Sequence, residues 1–327
     1  MLKRFKNILI VNYGNLGDIA CALLVNQNIK NVFPEKKIFS IVSVMNYSLL
    51  DFDCSVDKYF VYHNGFKNND IVLMKELKID CIIFLREITK QPYSTIYKTL
   101  KMIFPEAKFI GMLRESDNAL GFDYCYVEKE KNISVIEQLK NFVRYLTGKD
   151  KVVMPYLDTK NLTPVFNFKT NRPIIYLNLS AGHKRKFLNY LRRNLPVHHY
   201  KQIIENLIKD FNVVCTASPE DKKKVYFIKQ VFPDNLHLAL PETRTFNELL
   251  SVINFSDIVI TPETSIIHIT SLLNKPIIGI YTSKKRADLW TPFSDNYVSI
   301  LPKIDGLIET VEIEKVVAAV RSFNFIK

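Results

Sequence analysis

The chain repeats one rhythm: a short, almost wholly apolar run, a turn, then a stretch with apolar positions at helical spacing. Apolar runs at Ile8–Asn12, Ile38–Val44, Tyr59–Tyr62, Cys81–Leu85 and Lys108–Met112 predict strands. The spacing between them predicts helices from about Gly17 to Val32, over Asp70–Leu77 and over Ser94–Phe104. Near-continuous apolar strands alternating with helices argue for an α/β fold with a parallel sheet covered on both faces. Ser134 and Glu137 read as a capping box. It opens a helix with Val135, Ile136, Leu139, Phe142, Val143 and Leu146 on one face, closed by Gly148.

The rhythm breaks over Lys149–Arg172, which holds Pro155 and Pro164 and has no long period. This predicts an inter-domain linker and two domains, 1–155 and 156–327. The pattern then restarts with a strand at Ile174–Leu179, a long basic loop over Ser180–Leu195, and a helix from Pro196 that aligns Tyr200, Ile203, Ile204, Leu207 and Ile208. A strand at Phe211–Thr216 follows, then a cap at Ser218 with Pro219 behind it, a short strand at His237–Leu240, and a second capping box at Thr245 and Glu248. Ile258–Thr261 predicts a buried strand, with a helix beginning near Glu263. Pro276–Tyr281 predicts another strand, and a basic loop (Lys284, Lys285, Arg286) leads to Trp290. The last helix runs from about Val311 to Ser322.

Composition agrees with two cores: 327 residues, 47% of them hydrophobic. No apolar run reaches eighteen residues, so no transmembrane helix is expected. The basic-then-apolar start is too short for a signal peptide and lacks a small-residue cleavage site, so it reads as the first core strand of a cytosolic protein. The five cysteines are scattered without a CxxC, which fits reduced thiols and argues against zinc.

Net charge is +12, and from Thr159 to Ile204 nine Lys or Arg occur without a single Asp or Glu. Such a block suits nucleic acid, a membrane surface or a phosphorylated small molecule, and equally a solvated basic face. It lacks the aromatic interleaving of a single-strand platform, and no nucleic-acid-binding motif is present, so that reading is the weaker.

Two stretches carry candidate chemistry. YGNLGD, after the first strand, is not a dinucleotide fingerprint. It puts Gly17 and Asp18 in the first turn of a helix, where the dipole stabilises a carboxylate. In IVITPETSIIHITS, Thr264 and Ser265 sit at a helix start, either as ordinary caps or as phosphate ligands, and His268 lies one turn further in, as a packed or phosphate-side residue in preference to a catalyst. The basic loop with Lys184, Arg185 and Arg193 follows another strand of the same half. Strand carboxyl ends in doubly wound halves face a cleft, and Arg or Lys beside a helix N-terminus makes a diphosphate site.

Three segments, in this order, resemble glycosyltransferase family nine, the bacterial ADP-heptose:lipopolysaccharide heptosyltransferases. They are ILIVNYGNLGDIACALLVNQNIKNVFPEKKI, LNLSAGHKRKFLNYLRRNLPVHHYKQII and IVITPETSIIHITSLLNKPIIGIYTS. The resemblance implies a GT-B fold: two Rossmann-like doubly wound parallel-sheet domains facing a central cleft, acceptor side first and nucleotide-sugar donor side second. It implies inverting transfer of a heptose from ADP-heptose to a lipid-linked lipopolysaccharide or lipooligosaccharide core, without metal or cofactor, by a cytoplasmic protein peripheral to the inner membrane. Asp18 falls on the proposed general base, and Arg193 on a basic residue that contacts donor phosphate. Glu263, Thr264, Ser265 and His268 fall on the family's Asp, Thr, Gly and His. Glu220 or Asp221 corresponds to an acid on the donor ribose, or is simply a cap. Glu at 263 and Ser at 265 depart from the pattern, which leaves open another donor, such as a UDP-hexose; a non-catalytic sugar-binding relative is the weaker alternative, because Asp18 and Arg193 are both present.

Overall fold

The computed structural model describes residues 1–44, 46–86, 92–113, 121–130, 132–181 and 193–323. It divides into two compact units, Met1–Asp158 and Thr159–Lys327.

The first unit has a sheet of β1 (Asn7–Val11), β2 (Lys37–Ser43), β3 (Lys58–Tyr62), β4 (Cys81–Phe84), β5 (Lys108–Leu113) and β6 (Tyr124–Val127). All pairs are parallel, and the order is β3-β2-β1-β4-β5-β6. One face carries α1 (Leu16–Val32) packed against α4 (Val135–Thr147). Met74 from α2 (Asn68–Glu76) and Ile96 and Leu100 from α3 (Tyr93–Ile103) join Leu9, Phe84 and Phe109 in one cluster. Four aspartates stitch strand starts across both units. Asp80 accepts from the amides of Lys6 and Asn7, Asp57 from Ile38, Asp123 from Phe109 and Asp257 from Ile174.

The second unit repeats the plan. Its strands are β7 (Ile174–Asn178), β8 (Asn212–Thr216), β9 (Leu238–Ala239), β10 (Ile258–Pro262), β11 (Ile277–Ile280) and β12 (Tyr297–Ile300), in the order β12-β11-β10-β7-β8-β9. Its helices are α5 (Val197–Leu207), α6 (Lys222–Val231), α7 (Phe246–Asn254), α8 (Ser265–Leu272), α9 (Lys284–Leu289) and α10 (Ile313–Ser322). Tyr200, Ile203 and Leu207 of α5 and Val316 and Val320 of α10 pack on the inner strands. In each sheet the connection reverses direction beside the unit's first strand, between β1 and β4 and between β7 and β10. Open α/β sheets bind ligands at such reversals.

Several sequence expectations are corrected. β6 and β12 were not anticipated. Both are short edge strands, only partly buried, so neither shows a continuous apolar run. The basic stretch at Lys284 is a helix, capped by the Ser283 side chain on the Arg286 amide. Ser134 caps Glu137 as expected, but the Glu137 carboxylate pairs with Lys140 instead of closing the box. Thr245 and Glu248 form the full reciprocal box. The stretch read as a linker is tied down on the first-unit side. Asn28 holds both backbone groups of Val153, and Gln27 holds both of Tyr156. Polar side chains on α1 thus replace the ladder that a strand would supply.

Candidate active site

At the reversal in the first sheet, β1 and β4 run side by side, with Val11 opposite Phe84. Whatever follows each strand therefore meets its neighbour. Asp18 follows β1 at the third position of α1, with Gly17 one residue before it in the same turn. Its Oδ2 accepts the Asn15 amide at 2.9 Å, the cap-like role its position suggested. Arg86, just after β4, donates to Oδ1. The Asp18 side chain is 13% exposed and that of Arg86 46%. Gly14 is the glycine this corner needs, since a Cβ there would lie 2.8 Å from Asp18 Cβ and 2.9 Å from Oδ2. Its carbonyl accepts from Ser43 Oγ and Asn46 Nδ2. Tyr93 donates to the Tyr13 carbonyl and packs edge-on against the Tyr13 ring. Below Asp18, Cys21 is wholly buried, and burial pushes its thiol far up and keeps it protonated.

In the second sheet the reversal lies between β7 and β10, whose ends are joined by buried side chains. Asn178 donates to Thr261 Oγ1 at 2.9 Å, and Thr261 Oγ1 lies 3.2 Å from Thr264 Oγ1. Thr264 is the N-cap of α8, its hydroxyl accepting the Ile266 amide at 3.2 Å, so the helix begins two residues later than expected, at Ser265. Glu263 occupies the corner, 5% exposed, with its amide on the Ile280 carbonyl. Its carboxylate is clasped by Arg286 of α9, Nε to Oε2 at 2.9 Å and Nη2 to Oε1. Arg193 enters from the β7 side, its Nη1 3.4 Å from the Glu263 carbonyl, a weak contact at that length. Burial lowers the Arg193 pKa, opposed by Glu263 and reinforced by Arg286. The Glu263 hydrogen bond raises that of Arg286.

Lys224 of α6 fixes where Arg193 arrives, donating to the Leu179 carbonyl at 2.6 Å and to Asn194 Oδ1. Glu220 is exposed on the turn after β8, whereas Asp221 is buried against Ser218 and Lys224. His268 lies in the core, edge-on to Trp290 and Phe293. Burial pushes its pKa down to about 4, which favours an uncharged ring at neutral pH. Lys184 and Arg185 lie outside the described residues.

The structure thus gathers Arg193, Glu263, Thr264 and Ser265 at one corner and sets Asp18 at the matching corner of the other unit. The sequence pattern does not mark Arg86 or Arg286 as site residues. Each follows a strand immediately or by a few residues, but its partner is known only once the strand order is known.

Two six-stranded parallel sheets, each of order 3-2-1-4-5-6, with polar corners at their reversals, define a GT-B architecture. The chain matches the model of glycosyltransferase family 9 (heptosyltransferase) over residues 99–316 and belongs to that family. A putative glycosyltransferase of Haemophilus influenzae is 27% identical over 127 residues, 36% of this chain and 37% of that one. Lipooligosaccharide heptosyltransferase 2 of the same organism is 27% identical over 126 residues, 37% of this chain and 35% of that one. The chain thus spans little more than a third of the curated relatives it matches. The structure of E. coli ADP-heptose LPS heptosyltransferase II superposes with a TM-score of 0.75 at 16% identity, covering 97% of this chain and 98% of that one, which shows a shared fold. Among the described residues no helix is long and apolar enough to cross a membrane.

Proposed function

We propose that the protein is an inverting glycosyltransferase that moves a heptose, or a related sugar, from a nucleoside-diphosphate donor to an anionic lipid-linked core oligosaccharide. The observation that carries this is the β10–α8 corner, where Arg193 and Arg286 converge on Glu263 beside the N-terminus of a helix. Cations and a positive helix end suit a diphosphate leaving group.

In the reaction, Asp18 accepts the proton of the acceptor hydroxyl as its oxygen attacks the anomeric carbon. The bond from that carbon to the phosphate oxygen breaks on the opposite face, so the configuration inverts. The departing nucleoside diphosphate takes the electron pair, and Arg193 with the first turn of α8 neutralises its charge. Thr264 and Ser265 line that turn, and the exposed Glu220 is the proposed partner of the donor's ribose. These cations do the work a divalent ion would otherwise do, so the transfer is proposed to be metal-independent.

ADP-heptose is the proposed donor, since the chain is similar to proteins named for heptose transfer. A basic chain of net charge +12 suits transient contact with an anionic inner-membrane surface that carries the acceptor. A second reading, a different sugar such as a UDP-hexose, is favoured by Glu263, whose carboxylate is engaged by Arg286 and is less available to sugar hydroxyls. Thermal shift with ADP, UDP, GDP and CMP separates the two. Stabilisation by ADP alone supports the first, stabilisation by UDP the second, and no response to any of them removes the donor site.

A further inference from the structure

Arg286 sits one strand over from the β10–α8 corner, since β10 and β11 pair in parallel with Pro262 opposite Ile280. That pairing brings α9, which follows β11, to Glu263. The guanidinium uses only its Nε and Nη2 edge on the carboxylate. Among the described residues its Nη1 has no hydrogen-bond acceptor, and the side chain is 40% exposed while that of Glu263 is 6% exposed. The neighbouring Lys284 is spent on Asp288, with both carboxylate oxygens at 2.8 Å, and does not compete for the corner. Glu263 also takes Arg193 on its carbonyl, so two guanidiniums end on one residue that carries one negative charge.

Such a clasp has a geometric consequence. A bidentate carboxylate fixes the plane of an arginine and leaves its remaining N–H groups aimed in one direction. A buried carboxylate with one oxygen on each of two donor atoms makes a rigid mount, and a half-exposed guanidinium on that mount is a preorganised anion ligand.

We propose that Arg286 is a second guanidinium for the donor's diphosphate, with Glu263 as the positioning residue that holds it beside Arg193. This rests on the reading of the corner as a donor site and adds the residue that makes it a two-arginine diphosphate clamp. Glu263 then acts on the donor through Arg286, not through sugar hydroxyls.

The chain is titrated calorimetrically with ADP, UDP, GDP and CDP, and the nucleotide that binds is titrated against Arg286→Gln and Arg286→Lys. The corresponding nucleoside, which has no phosphate, is the counter-ligand. Expected is a loss of at least ten-fold in nucleoside-diphosphate affinity for Arg286→Gln, an intermediate loss for Arg286→Lys, and no change for the nucleoside. If leaving Glu263 unpaired unfolds the single variants, the double variant Glu263→Gln/Arg286→Met removes the pair without a buried lone charge, and the same ten-fold loss is expected. Diphosphate affinity within two-fold of wild type in the folded variants overturns the proposal while leaving the donor site standing. Loss of nucleoside and diphosphate affinity by equal factors makes Arg286 purely structural and also overturns it. A wild-type chain that binds none of the four overturns the donor site itself.

Discussion

Arg86 donates to Asp18 Oδ1 while the Asn15 amide holds Oδ2 at 2.9 Å, so both oxygens of the proposed base are engaged. An ionised carboxylate has about four lone-pair sites, so both contacts leave room for a hydroxyl proton. They fix the direction in which the base faces. Asp18→Asn keeps the shape but has no basic oxygen. It is expected to abolish transfer in a radiolabelled-sugar assay and to leave nucleotide affinity within two-fold of wild type. Full activity would remove Asp18 as the base.

With Asp18 as the proposed base, Arg86 would act on the reaction through Asp18. Arg86→Gln is expected to lower kcat about ten-fold, roughly 1.4 kcal/mol of barrier, with the donor KM unchanged. Steady-state kinetics in both substrates reads the split. A rise in donor KM with kcat preserved would place Arg86 on the donor instead.

Gly14 leaves no room for a side chain against Asp18. Backbone and carboxylate must part in Gly14→Ala, at a cost of about 1–3 kcal/mol in stability together with a fall in kcat. Chemical denaturation and kinetics on one preparation check both. An alanine variant with wild-type stability and rate would mean the corner yields freely.

His268 gives a pH signature. Its folded pKa is near 4 against an ordinary value of 6.5, so between those values the unfolded chain binds more protons than the folded one. Its contribution is complete above pH 6.5 and is lost as the pH falls toward 4, amounting to about 3 kcal/mol over that window. Urea midpoints measured from pH 7 to pH 4 should fall less steeply for His268→Gln than for wild type. Parallel curves would contradict a buried neutral ring.

Much of the fold was legible in the sequence. Central strands such as Cys81–Phe84 are buried on both faces and read as unbroken apolar runs. Thr245 and Glu248 are three residues apart, so their box is a local event. Edge strands β6 and β12 escaped because solvent on one side breaks the apolar run. At the candidate site, Asp18 stood out by its place in the first turn of a helix after a strand, and Glu263 through the family resemblance. Arg86 is 68 residues from Asp18 and Arg286 is 23 from Glu263. Those pairs exist because β1 lies beside β4 and β10 beside β11, an ordering that periodicity does not carry.

Metal independence has a simple check. EDTA is expected to leave turnover intact, because arginines and helix amides are proposed to neutralise the leaving diphosphate. Activity lost to chelation and restored by a divalent ion would contradict this.

Calorimetric titration of ADP into wild type and Arg193→Ala tests most directly the proposal that the β10–α8 corner binds the donor's diphosphate. Binding to wild type is expected, with a loss of about 1.5–3 kcal/mol in the variant, the range for a hydrogen bond to a charged group. Equal affinity in both proteins would contradict it.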